Sequence, residues 1–164
     1  MIFVTKKPSK IKNERSNAVI AHGGYPISRI LTDALKNDSD IIFDSNVSAD
    51  RIAKTIARDF KIDTRGFVID LDSKKSMRKY IKHNHDNLIA KIDKKIEKHT
   101  DDSMKYRQYR AIVVKATVDK DIKKSDLRKV ILKFAKTSND DAKEFRKKLK
   151  KYANTYGRNF SIID

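Results

Sequence analysis

Residues 17–44 read NAVIAHGGYPISRILTDALKNDSDIIFD, and this stretch decides the fold. Residues 17–21 are a compact apolar run suited to a buried strand, closed by His22-Gly23-Gly24. Pro26 fits the first position of a helix, where a missing N–H costs no hydrogen bond. Ile27, Ile30, Leu31, Ala34 and Leu35 then recur at helical spacing. Residues 37–39 break that helix, and residues 40–44 (Asp-Ile-Ile-Phe-Asp) form a second strand. Further on, Ser48 is an N-cap with Asp50 in the first turn, where a carboxylate meets the positive end of the helix dipole. Ile52, Ala53, Ile56 and Phe60 give this helix its apolar stripe, and residues 66–71 (Gly-Phe-Val-Ile-Asp-Leu) are a third strand. The β-α-β-α-β order predicts an α/β (or α+β) fold with a small, mainly parallel sheet and right-handed crossovers. Upstream, residues 2–5 read as a short strand, and the basic stretch 6–16, with Pro8, as a loop or edge arm.

From Ser73 the character changes. Met77, Tyr80, Ile81, Leu88, Ile89, Ile92 and Ile96 predict one helix of about twenty residues. Residues 110–118 alternate so that Ile112, Val114, Ala116 and Val118 share one face, which predicts a strand. Ser125 caps a helix with Leu127, Val130, Ile131 and Phe134 inward. Ser138 or Asn139 starts another, with Ala142, Phe145, Leu149, Tyr152 and Tyr156 in its stripe and Gly157 at its end. Residues 160–163 read as a short final strand. The expectation is one domain over 1–164: a near-neutral α/β half, 1–72, and a strongly basic half, 73–164, of helices with one or two further strands.

Charge separates the halves. Residues 1–72 hold 12 Lys/Arg and 10 Asp/Glu, a net of +2, whereas residues 73–164 hold 27 and 12, a net of +15. The whole chain of 164 residues carries +17, which attracts polyanions. Cysteine is absent, so disulfides, thiolate metal sites and cysteine nucleophiles are excluded. No apolar run reaches the 18 or more residues of a membrane span, and residues 1–7 lack a signal-peptide pattern. The expectation is a soluble cytoplasmic protein without a membrane partner. Heavy use of Lys, Ile and Asn accompanies A/T-rich genomes such as those of many phages and mobile elements.

Two groups of residues could carry chemistry. The first lies where predicted strands end: His22, Asp44, Asp70 and Asp72. In open parallel sheets ligands bind beyond the carboxyl ends of the strands, and an Asp-x-Asp pair there can hold a divalent cation for phosphoryl transfer. On residues 17–80, the strand, the glycine turn at Gly23-Gly24 and the later strand ending Asp70-Leu71-Asp72 resemble a topoisomerase–primase (TOPRIM-type) domain. That resemblance implies a divalent cation at Asp70 and Asp72, although His22-Gly23-Gly24 stands where the family has a catalytic glutamate; in an enzyme using Mg²⁺, Asp44 or His22 would assist. The plainer reading is that Asp70 and Asp72 cap the helix near Ser73 and offset its lysines.

The second group is a basic surface interleaved with rings. Lys74, Lys75, Arg78, Lys79 and Lys82 cluster in the first turns of a helix, the wrong end for cations and so a place where a ligand or partner would restore balance. Lys105-Tyr106-Arg107-Gln108-Tyr109-Arg110 alternates charges with rings, and Lys147, Lys148 and Lys151 crowd a later helix. Cations hold phosphates while rings stack on bases, as single-stranded or irregular nucleic acid requires. Lys74, Lys75, Arg78, Lys79, Arg107, Arg110, Lys147, Lys148 and Lys151 are the expected backbone contacts of bound DNA or RNA, with Tyr106 and Tyr109 stacking. The alternatives are a Mg²⁺-dependent nuclease using Asp70 and Asp72, and an inhibitor or adaptor that binds an acidic protein.

Overall fold

The computed structural model describes residues 1–22, 26–44, 47–101, 103–135 and 140–155. Four short strands, β1 (Ile2–Val4), β2 (Val19–Ala21), β3 (Ile41–Phe43) and β4 (Val68–Asp70), form an all-parallel sheet in the order β2-β3-β1-β4. β1 and β3 are buried along their whole length, so they read as unbroken apolar runs and not as alternating ones. The α/β reading of the first half holds. One segment of it differs: residues 6–16 are not a loop, because Pro8–Glu14 forms a short helix, α1. Pro8 opens it and buried Ile11 anchors it, but one apolar residue in seven leaves no period to detect.

Helix α2 (Ile27–Lys36) and helix α3 (Ala49–Phe60) follow β2 and β3, and the Ser48 hydroxyl caps α3 by accepting from the Arg51 N–H at 3.2 Å. They lie on one face of the sheet with the last described helix, α8 (Asp140–Thr155). There Phe145 stacks on Phe67 at 4.5 Å between ring centroids. The other face carries α1 and α4 (Lys74–His83), with α7 (Lys124–Phe134) packed on α4 and reached by Arg15 from the end of α1. The hairpin of α5 (His85–Lys98) and α6 (Ser103–Val118) packs outside α4 and α7.

Three further expectations for the second half change. The segment 110–118 is not a strand but the C-terminal part of α6. The twenty-residue helix after Ser73 breaks at buried Asn84, whose side-chain amide donates to the Tyr80 carbonyl at 2.9 Å and so closes α4. Helix α7 starts at Lys124 with no side-chain cap, so Ser125 lies inside it. Ser138, Asn139, Gly157 and the strand expected at 160–163 lie outside the described residues. No helix among those described is long and apolar enough to cross a membrane.

Both faces are pinned at the start of β3. Asp40, 1% exposed, accepts from the Met1 α-ammonium at 2.9 Å and from Arg15 at 3.3 Å, and Arg146 of α8 lies 3.6 Å away. Arg15 also donates to the Ile131 and Leu132 carbonyls of α7 and lies over the Phe3 ring, 4.5 Å from its centroid. Burial works to raise the Asp40 pKa, but the ammonium and the two guanidiniums outweigh it and hold the carboxyl below its ordinary value. Asp40 therefore contributes fully above the unfolded-chain value of about 3.9. Its contribution is lost as the pH falls through the depressed folded value. Asp40→Asn is expected to lower stability at pH 7 by about 3–5 kcal/mol, since it strands buried Arg15, and to flatten the acid limb of thermal melts recorded from pH 7 to pH 2. Equal stability of the variant and the wild type would refute this role.

Candidate functional site

The second half's cations are not used alike. Helix α4 carries five in its first nine residues and divides them between two directions. On one flank, Arg78 Nε donates to the Ala116 carbonyl at 2.9 Å and Lys74 Nζ donates to the Lys120 carbonyl at 3.3 Å. Both groups reach the C-terminal end of α6, where carbonyls lack helical partners and the dipole is negative. The awkward cations at the start of α4 thus in part serve another helix's end.

On the other flank, Lys75, Lys79 and Lys82 stand at i, i+4 and i+7. All three are exposed, and none pairs with a carboxylate among the described residues. They form one wall of an open groove of about 890 Å³ along the β4 edge of the sheet. The floor is Val68 and Asp70 of β4. The facing wall is the start of α3, with Ser48, Ala49, Asp50 and Ala53. One wall is therefore cationic and the other neutral to acidic. Arg65 also lines the groove, but its guanidinium is bound by Asp63 at 2.5 to 3.0 Å, and this contact pulls the Asp63 pKa down. His83, at the end of α4, lines both this groove and a smaller cleft with Lys148 and Glu144 of α8.

The four residues expected at the strand ends, Asp70, Asp72, Asp44 and His22, are not all gathered into one site. Asp72 Oδ2 accepts the Lys6 backbone N–H at 2.7 Å, and its Oδ1 lies 3.7 Å from Arg128, which also donates to the Leu71 carbonyl at 2.7 Å. Asp70 Oδ1 accepts the Asp72 N–H at 2.9 Å. These acids tie the β4–α4 turn to the β1–α1 turn and to α7. Asp44 follows β3, two strand spacings or about 10 Å from Asp70, and pairs instead with exposed His22 at 3.4 Å. His22 follows β2, at the opposite edge of the sheet from β4, so it and Asp70 cannot share one ion. No group of three His, Asp or Glu suited to a metal occurs among the described residues. As placed, Asp44 and His22 do not join Asp70 in one ion site.

The other expected contacts disperse. Tyr106 is 9% exposed and packs against Tyr109, His99 and Phe134, while Tyr109 sits edge-on to Phe134 at 5.2 Å. Both rings belong to the edge of the core. Beneath them Lys91 Nζ donates to the Phe134 carbonyl at 2.9 Å, and burial lowers the lysine's pKa. Arg110 pairs with Asp93 at 3.0 Å, and Arg107 is exposed on α6. Lys147, Lys148 and Lys151 lie exposed on α8, with Lys148 paired to Glu144 at 3.0 Å. Lys82 was absent from the contacts chosen by sequence, although its spacing from Lys75 and Lys79 marks it as a member of the same helix face.

No family model, curated protein or solved structure matches this chain. Function is therefore read from surface chemistry.

The two flanks of α4 are expected to respond differently to mutation. Arg78→Met removes a charged hydrogen bond to a carbonyl and should cost about 1.5–3 kcal/mol. Lys79→Met should stay within about 0.5 kcal/mol of wild type. Urea unfolding of the two variants measures the difference, and equal losses would show that Arg78 is not structural.

Proposed function

We propose that the protein binds nucleic acid, with the phosphate backbone running along the α4 wall of the groove. The observation that carries this reading is the row Lys75, Lys79 and Lys82: three exposed cations of one helix face, unpaired among the described residues, lining one groove. Neighbours in the row are about 4.5–6 Å apart along the helix. Each phosphate they neutralise would release counterions, which supplies affinity without sequence readout. The net charge of +17 adds a long-range attraction that speeds encounter.

The unlike walls favour a single strand. Such a strand carries phosphates on one side and bases on the other, matching a cationic wall opposite Ser48, Ala49 and Asp50. Asp50 is suited to accept from the amino groups of bases. A duplex presents phosphates on both sides, and the α3 wall offers it no cation.

Fluorescence anisotropy with labelled single-stranded DNA, single-stranded RNA and duplex DNA, over a series of salt concentrations, tests the reading. Wild type should bind single strands more tightly than duplex, with affinity falling steeply as salt rises. The triple variant Lys75→Gln, Lys79→Gln, Lys82→Gln should lower the slope of log K against log [salt] by about 2, near 0.7 for each lost single-strand contact. A control triple on α5, Lys94→Gln, Lys95→Gln, Lys98→Gln, removes the same charge and should change the slope little. Equal effects of the two triples would sink the groove assignment. Cleavage of the labelled strands in Mg²⁺, abolished by Asp70→Asn, would replace binding with nuclease activity.

A further inference from the structure

Helix α6 has two apolar faces. The inner one, with Tyr106, Val113 and Ala116, is buried in the core. The outer one presents Met104, Ala111, Val114 and Val118. Met104, Val114 and Val118 are 70%, 44% and 80% exposed, and they are three of the four exposed large hydrophobics among the described residues. With Arg107 they fall at 104, 107, 111, 114 and 118, the alternating 3 and 4 spacing of a coiled-coil seam. A seam this narrow, with the short side chain of Ala111 at its centre, suits the ridge of a second helix. A lipid surface calls for a broader apolar face.

Charge selects the occupant. The charged side chains on the outward arc are Arg107 and Lys115, both exposed. The carboxylate near them is that of Asp119, which meets Lys115 at 3.6 Å beyond the helix end. A second copy of this chain is a poor match. Residues 107 and 115 are equidistant from Ala111, so antiparallel pairing about Ala111 sets Arg107 against Lys115 of the copy. Parallel pairing sets each cation against its own counterpart. We propose that the outer face of α6 docks an amphipathic helix of another protein, one whose apolar seam is bordered by Asp or Glu. Two of those carboxylates would meet Arg107 and Lys115, about 12 Å apart along α6.

The probe is a labelled synthetic helix of three heptads with Leu at the a and d positions and Glu at e and g. Its glutamates discourage it from pairing with itself at neutral pH. Anisotropy should show it binding the wild-type protein, and more weakly as salt rises. Val114→Glu places a carboxylate on an exposed position and should weaken binding at least tenfold while leaving the circular dichroism spectrum and oligonucleotide binding unchanged. A control peptide with Gln in place of Leu keeps the charge and should bind at least tenfold more weakly, which separates docking on the seam from attraction to the +17 field. The proposal is overturned if the peptide fails to bind at concentrations up to about 100 μM, or if either the variant or the control binds as well as its parent. It is also overturned if wild type is a dimer by light scattering that Val114→Glu dissolves, or if the variant abolishes sedimentation with phosphatidylserine vesicles.

Discussion

A single buried carboxylate joins the layers of this molecule. Asp40 stands at the start of β3, at the amino-terminal end of the sheet, and gathers the Met1 ammonium, Arg15 from the end of α1 and Arg146 from α8. The two arginines come from opposite faces of the sheet, and Arg15 continues to two carbonyls of α7. The sheet therefore does not rest on apolar contact alone. Its three-residue strands offer few ladder hydrogen bonds, and a charge this deeply buried is tolerated only with its partners in place. Helices that would otherwise be free to slide on a small apolar surface are fixed in register by one ionised group.

That constraint lies at one end of the sheet, while the carboxyl ends of the strands and the β4 edge form the other side of the molecule. The acids there do local work. Asp72 holds the Lys6 N–H and Arg128, and Asp70 holds the Asp72 N–H. These contacts shape the turn into α4. That turn is thus held by carboxylates that would look catalytic if judged from their pattern alone.

The first half of the fold was legible because its strands are continuous apolar runs and its helices have a single apolar stripe. The second half was harder to read for a physical reason. In α6 the residues Ile112, Val114, Ala116 and Val118 alternate as a strand does, and three of them are β-branched. The alternation is false, since Val113 and Ala116 face the core while Val114 and Val118 face outward. A helix apolar on two sides has no clear helical period, so the period of two prevailed. The break at Asn84 was hidden in the opposite way, because the apolar spacing carries on across it. The cap is a local side-chain bond that periodicity does not register. For the proposed site, composition placed the charge in the second half and in α4, but a count of lysines cannot separate Arg78, spent on the Ala116 carbonyl, from Lys79, which lines the groove. Likewise Tyr106 and Tyr109 alternate with charges in sequence, yet a helix carries positions three apart to one face, and there that face is inward.

The bond from Arg78 to Ala116 has a mechanical consequence. Helix α4 forms one wall of the groove, and α6 carries the exposed apolar seam; the guanidinium joins the first to the last turn of the second. Lys74 adds a tie from the same helix to the loop just beyond α6. The two surfaces are therefore not independent ornaments on a basic protein. They stand on adjoining helices coupled at one end. The two proposed ligands would draw on different sets of cations: Lys75, Lys79 and Lys82 for a polyanion along α4, Arg107 and Lys115 for an acidic helix along α6.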